Sequence, residues 1–556
     1  MTTAGPADLV VVGRIATLAG DRGPAWVEAI AIRASRVVAA GRAADIEALA
    51  GPGTRRLRLG PDEVAVPGIT DAHLHLVEAA LMAVKVDLEG CDSPATLVGR
   101  IRAHAIAMTV PDGKRWILGA GWDADRLARW PTADDLERVA PGRLVALWAH
   151  DHHALLVSAA ALDLAGIDAA TPDPPGGIIR RDPDGLPTGV LHERAAALVA
   201  DRLPAPTGEE VEAALTPFAE QLLAMGVTGV HDPGSLVAAE GLGPAFAAYR
   251  NLAAAGRLRQ RVHASIRLEQ LGAARAAGLR SGGSLGDDPR DRLRMGWLKL
   301  FADGTLGSRT AALLDPLAGA DEETTAPNGG LGIWMTPPSA LHSAVAEAAR
   351  AGIASQVHAI GDAAVRAALD ALAPSAGATP LMPRVEHVQL VADADTSRFA
   401  ALGIAASMQP IHVRSDAAAA RRLWGARADT RAYALAAIER TGAVLAIGTD
   451  APVEPADPWP GIACAVTRSA PSWPAGMRAL GVANALPLWR AIRAACVDPA
   501  LSAGEHDRGR LIAGHRADLV VVPAAVVDEP VEVDGALWHA RPRLVLVDGE
   551  VVAGAE

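Results

Sequence analysis

VAVPGITDAHLHL, residues 64–76, decides how the rest of the chain is read: a short apolar run turns at Pro67-Gly68 and ends in Asp71 and two histidines, His73 and His75. Side chains at i and i+2 of an extended strand project to the same side, so both imidazoles can reach one ion. Asp71 stands close enough to orient one of them. Alone, a His-x-His pair is a weak signal. Its weight comes from seven later apolar runs: GVTGVHDPG (226–234), RVHASIRL (261–268), GWLKLFADG (296–304), ASQVHAI (354–360), RVEHVQL (384–390), GIAASMQP (403–410) and VLAIGTDAPV (444–453). Ala/Leu-rich segments of helical length such as ALHSAVAEAARAG, AAVRAALDALA and RAYALAAIERTG separate several of them and end in small residues that close a helix. Eight strands with intervening helices imply an α/β fold, a (β/α)8 TIM-type barrel, in which both faces of the sheet are covered and strands can be apolar throughout.

In such a barrel the strand ends gather side chains from distant sequence at one mouth. His73, His75, Lys299, His358, His387 and Asp450 each stand at the C-terminal end of one of these runs. Singly, each has a plainer explanation: a hydrogen-bonded core histidine, a snorkelling lysine, an aspartate capping a turn. Together they would require separate strands to place ionisable groups at equivalent ends by accident, and one shared metal centre is the simpler account. Lys299 stands out further because only Lys85, Lys114 and Lys299 among the 52 basic residues are lysine. An amine can lose its proton and form a carbamate or Schiff base, whereas a guanidinium cannot.

The ends of the chain resemble each other. ADLVVVGRIATL (7–18) and AIAIRASRVVAAG (29–41), then ADLVVVPAAVV (517–527) and RPRLVLVDGEVVAG (541–554), are short β-branched runs punctuated by Gly and Pro. They are expected to form one composite β-sandwich from residues 1–66 and 497–556, flanking a barrel over 67–496. Roughly residues 80–210 are far longer than an ordinary connection after the first barrel strand and read as an inserted lid or subdomain. WILGAGWD (116–123) and RLVALWAHD (143–151) inside it are strand-like, so a rival count makes them barrel strands, while TPDPPGGIIRRDPDG (171–185) reads as a turn-rich loop.

Composition narrows the function classes. A chain of 556 residues, 50% hydrophobic with net charge −12, can bury a large core and lacks the basic surface that a phosphate backbone requires. Cys91, Cys464 and Cys496 are too few and too separated for a disulfide framework or a zinc-thiolate cluster. MTTAGPADLVVVGRIATLAG has no basic leader and no apolar run spans a bilayer, so a cytoplasmic protein with a small-molecule substrate and neither a nucleic-acid nor a membrane partner is expected, with a homo-oligomer left open.

PGITDAHLHL, GWLKLFADGTLGSRTAALL, QVHAIGDAAV, RVEHVQL, SMQPIH and AIGTDAPVEPADP, in that order, resemble the amidohydrolase superfamily, most closely its YtcJ-like, N-substituted formamide deformylase-like branch. The resemblance runs over essentially the whole chain. It implies a one- or two-metal hydrolytic centre, with zinc the expected ion. On that resemblance His73 and His75 hold the more buried ion, His358 and His387 the more exposed one, a carbamate on Lys299 bridges them, and Asp450 completes the first site and handles the proton. The implied reaction is hydrolysis of a non-peptide C–N bond by an activated water. Arg309, Gln409 and His412 follow barrel strands and are candidates for substrate contact, as are Trp122, Asp123 and His153 in the insertion, although a salt bridge for Arg309 and core packing for Trp122 explain them about as well. Asp362 is expected to cap the helix that follows it. The chain departs from the branch pattern in Asp151-His152-His153, where glycine is common, and at Thr449, where serine is common. A mononuclear deaminase of a nucleobase-like substrate is the alternative enzyme, and a non-catalytic metal-bearing binding protein the alternative outside enzymes.

Overall fold

The computed structural model describes residues 5–555 apart from 21–22, 108–115, 125, 128, 150–153, 236–240, 287, 289 and 319–326. It divides into two compact units, residues 1–79 with 208–556, and residues 80–207.

The larger unit is built on eight parallel strands paired in chain order: β1 (Ile69–Asp71), β2 (Val227–Asp232), β3 (Arg261–Arg267), β4 (Leu293–Phe301), β5 (Ser355–Ala359), β6 (Arg384–His387), β7 (Ala405–Met408) and β8 (Leu445–Ile447). Each coincides with one of the eight apolar runs. The last strand returns to the first: the Ala72 amide donates to Ile447 O at 3.2 Å and the Asp450 amide to His73 O at 2.7 Å, which nearly closes the barrel. Helices such as Gly243–Ala254, Pro338–Arg350, Asp362–Leu372 and Val413–Trp424 form the crossovers. With both faces covered, β2 and β5 are buried along their whole length, polar residues included.

Strands from both ends of the chain pair in a second sheet of the same unit. Glu63–Pro67 runs antiparallel to Leu519–Pro523, with Val66 opposite Val520, and the sheet continues through Ala7–Ala16 to Trp26–Arg33 on one side and to Leu544–Val547 on the other. It forks at Gly13, whose φ of +146° is open to glycine: Ala50–Arg58 pairs with residues before it and Glu63–Pro67 with residues after it. Leu9, Val11 and Ile15 share one apolar core with Leu519 and Leu544, while Val10 faces the other way toward Ile46. The helix Leu488–Ser502 packs on β8 and β1, so the barrel extends past the expected boundary at 496/497; its pattern of buried residues continues through Ala500 and gives no break there.

A buried ion cluster joins this sheet to the base of the barrel. Arg261, the first residue of β3, bonds Asp518 at 3.1 Å and also Asp548; Arg292 reaches Asp548 at 2.8 Å. All four are nearly inaccessible to water.

Residues 80–207 carry their own sheet, in the order Gly177–Arg181, Pro187–Glu193, Ala154–Val157, Val145–Ala149, Ile117–Trp122, Val86–Asp87. Ile117–Trp122 and Val145–Ala149 therefore belong to this sheet, which removes the rival strand count. Residues 177–181, expected within a loop, form a strand because Asp182 and Leu186 close a hairpin, the Asp182 amide donating to Leu186 O at 2.9 Å. Cys91, Cys464 and Cys496 are buried free thiols, and no helix among the described residues is long and apolar enough to cross a membrane.

Candidate metal centre

The ends of β1, β4, β5, β6 and β8 bring the six sequence-identified groups to one place. Asp450 is its hub. Its Oδ1 lies 3.5 Å from Nε2 of both His73 and His75, and its Oδ2 lies 3.2 Å from His412 Nε2 and 3.9 Å from His387 Nδ1. Lys299 Nζ stands 3.5 Å from His73 Nε2. Two sets could each hold a cation, His73 with His75 and Asp450, and His387 with His412 and Asp450; within each set the donor atoms lie within 4.8 Å of one another. His358 enters neither set: its Nε2 is 3.2 Å from Gly304 O while its ring packs 4.5 Å from that of His387. His412, expected to contact substrate, stands beside His387 and Asp450.

The backbone explains the hub. Asp450 has φ +62°, a left-handed conformation that aspartate tolerates better than most residues, and its amide is tied to His73 O. Asp71, expected to orient an imidazole, does not touch one. Its carboxylate accepts from the amides of His73 and Thr449 at 3.1 and 3.0 Å and from the Thr449 hydroxyl at 2.6 Å, so it pins the β8 turn to β1. Gly448 sits in that seam, where a Cβ would stand 2.4 Å from His73 N and 2.7 Å from Asp71 Oδ1. Gly448→Ala is accordingly expected to destabilise the fold by about 1–3 kcal/mol, read by denaturant titration; unchanged stability would show that the seam yields freely.

Electrostatics favour neutral imidazoles at His73, His358 and His387, whereas at His412 burial is outweighed by the hydrogen bond and charge of Asp450, which raise it. Burial, aided by the Lys299 charge, pushes His73 down to about 4 and His358 to about 3, and burial with neighbouring His358 takes His387 well below the usual range. Lone pairs are thus available at neutral pH. Burial also lowers Lys299 to about 8. Asp450 is lowered as well, which for a carboxyl means it is charged: burial opposes ionisation, but hydrogen bonds from His412 and His75 hold it well below its ordinary value. His387 Nδ1, the ring nitrogen that faces Asp450, is buried without a hydrogen-bond partner, as a nitrogen awaiting a ligand would be.

Residues outside the sequence-identified set also meet here. Glu386, fully buried, lies 2.6 Å from His73 Nδ1 and 2.9 Å from Arg384. Asp303 accepts from the amides of Ala312, Ile360 and Gly361 at 2.8–3.0 Å and lies 3.7 Å from His358 Nε2, which anchors the loops after β4 and β5. Asp362 is not the helix cap; Gly361 occupies that position, and the Asp362 carboxylate accepts from the Leu314 amide at 2.8 Å.

Among the other candidates, Gln409 is buried and donates weakly to Ser407 O at 3.4 Å. Arg309 lies in the loop after β4 with φ +57°, and its side chain has no hydrogen bond or ion pair among the described residues, so the salt bridge weighed for it is not formed. Trp122 is a core residue of the 80–207 unit, its indole N–H donating to Leu147 O at 2.8 Å, the core packing weighed for it in the sequence. Asp123 faces Arg126 at 3.6 Å in the same unit, and His153 lies outside the described residues.

A model of the amidohydrolase family matches residues 62–553, which span the barrel, both strands of the Glu63/Leu519 pair and the whole candidate centre. The chain belongs to the amidohydrolase family. This amidohydrolase is 29% identical to YtcJ of Bacillus subtilis (strain 168) over 493 residues, 88% of this chain and 89% of that protein. It is 27% identical to the N-substituted formamide deformylase of Arthrobacter pascens over 537 residues, 90% and 91% of the two chains. Among solved structures, an uncharacterized metal-dependent hydrolase from Pyrococcus furiosus matches with a TM-score of 0.72 and 28% identity, covering 92% of this chain and 98% of that one.

Proposed function

We propose that this amidohydrolase is a metal-dependent enzyme that hydrolyses a non-peptide C–N bond in a small molecule, with amides and N-substituted formamides as the substrate class. The observation that carries the reading is the Asp450 carboxylate standing within 3.2–3.9 Å of four imidazoles drawn from three separate parts of the barrel. The formamide deformylase relative supports the substrate class.

Neutral imidazoles and a carboxylate suit zinc. His73, His75 and Asp450 would hold one ion, His387 with His412 or His358 a second, and Lys299, as a carbamate, would lie between them. Carbamylation replaces a cation by an anion and removes the repulsion that an ammonium beside a metal would suffer. A divalent cation supplies Lewis acidity and lowers the pKa of water to about 7. Asp450 accepts the proton of the attacking water and returns it to the departing nitrogen, a role its ionised state and its position among the imidazoles suit. Asp71 and Gly448 keep that carboxylate in place through the β8 turn.

The test is a hydrolysis screen over N-substituted formamides, other amides and cyclic amides, with amine release measured before and after dialysis against a chelator. Activity on one of these classes, lost on chelation and restored by Zn2+, is the expected result. Hydrolysis that survives complete metal removal would refute the metal-dependent reading.

A further inference from the structure

Strand β6 carries two charged side chains that the candidate ligand sets do not use, Arg384 and Glu386, both shielded completely from solvent. Their i, i+2 spacing sends them to the same face of the strand, into the barrel. There Arg384 reaches His231 Nδ1 at 2.9 Å, Gln356 Oε1 at 2.7 Å and Ala72 O at 3.1 Å, with its guanidinium 4.0 Å over the Trp297 ring. Continued alternation would turn His387 away from that interior. Instead, φ values of +73° at His387 and +45° at Val388 break the alternation, and the His387 ring comes within 5.0 Å of that of His73. One strand thereby contributes a ligand candidate and, one residue earlier, a support for a ligand candidate on β1.

Burying an ion pair is expensive: each ion loses several kcal/mol of hydration, and apolar residues of similar size would often serve stability as well or better. A geometric return is therefore to be sought. An ionised carboxylate can only accept hydrogen bonds, so the 2.6 Å contact between Glu386 Oε2 and His73 Nδ1 requires the proton to sit on Nδ1. Nε2 is then left with its lone pair, and that atom is the one facing Asp450 Oδ1 and Lys299 Nζ, each at 3.5 Å. Glu386 Oε1 is held at 2.9 Å by Arg384, so the carboxylate cannot swing off the imidazole.

We propose that Glu386, clamped by Arg384, is a positioning residue that fixes the tautomer and ring orientation of His73 and so makes Nε2 a metal donor. This rests on the metal-centre reading above. Carboxylate partners of metal-binding histidines typically change metal affinity by 10–100-fold when removed.

The test titrates Zn2+ against a chromophoric chelator in wild type, Glu386→Gln, Glu386→Asp and the charge-matched double variant Arg384→Gln/Glu386→Gln. Both variants without the carboxylate are expected to lose about 10–100-fold in affinity, with Glu386→Asp, which keeps the carboxylate on a shorter arm, falling between them and wild type. Wild-type affinity in Glu386→Gln or in the double variant overturns the proposal while leaving the metal reading intact. A wild-type protein that binds no Zn2+ defeats the metal reading itself, and the donor role with it. Should the variants fail to fold, 15N NMR of histidine-labelled wild-type apoprotein decides: His73, identified by the signal missing from His73→Gln, is expected with its proton on Nδ1, and a proton on Nε2 overturns the proposal.

Discussion

Asp450→Asn is expected to lower kcat by about 10²–10⁴-fold while the protein still takes up metal, because the change removes the proton acceptor and keeps an oxygen in nearly the same place. The separation of the two readouts carries the argument. Four imidazoles surround this carboxylate, and several of them would still hold a cation after the substitution. The loss should therefore appear in turnover on the best substrate from the amide screen, with metal content by elemental analysis close to that of wild type. A variant with wild-type turnover would remove Asp450 from proton transfer, and one that is inactive because it has lost its metal would make Asp450 a ligand alone.

Asp518→Asn is expected to cost about 3–5 kcal/mol of stability at neutral pH, since it leaves Arg261 buried with half of its compensating charge gone. The pH dependence has a definite sign. Burial raises the Asp518 carboxyl, but the charges of Arg261 and Arg508 overcome this and hold it well below the ordinary value, and Asp548 is lowered in the same way by Arg261. A carboxylate whose folded value is depressed contributes stability in full above its unfolded value of about 3.9, and that contribution fades as pH falls toward the folded value. Wild type should therefore lose stability steadily below about pH 5, and Asp518→Asn should lose less over the same interval. Urea titrations of both proteins at pH 7 and at pH 4 check this. Equal stability at pH 7, or parallel losses on acidification, would show that the cluster does not hold the terminal sheet to the barrel.

The barrel was legible because a parallel sheet covered on both faces writes its strands as uninterrupted apolar runs, and the ligand candidates were legible because each closes such a run. His73, His75, Lys299, His387 and Asp450 needed nothing further. The companions of these residues were less visible, for reasons of direction. Strand alternation places Asp71, two residues before His73, in register to support it, yet the seam between β1 and β8 offers backbone amides that its carboxylate binds instead. Glu386 adjoins His387 in sequence, and alternation alone assigns neighbours to opposite faces; only the positive φ values after it let both point to the same centre. His412 comes to Asp450 through the turn Pro410–His412, a local geometry without a run of its own. The strand at Gly177–Arg181 was hidden by the Pro and Gly around it, which shape its flanking turns. The ion cluster of Arg261, Arg292, Asp518 and Asp548 joins positions about 260 residues apart, a pairing no local pattern encodes.

Anomalous diffraction from crystals of the metal-loaded protein, recorded on both sides of the zinc absorption edge, tests the central claim most directly. A peak bonded to Nε2 of His73 and His75 and to an Asp450 oxygen is the predicted result, with a second beside His387 if the centre is binuclear. Full metal loading with no peak among these side chains would contradict it.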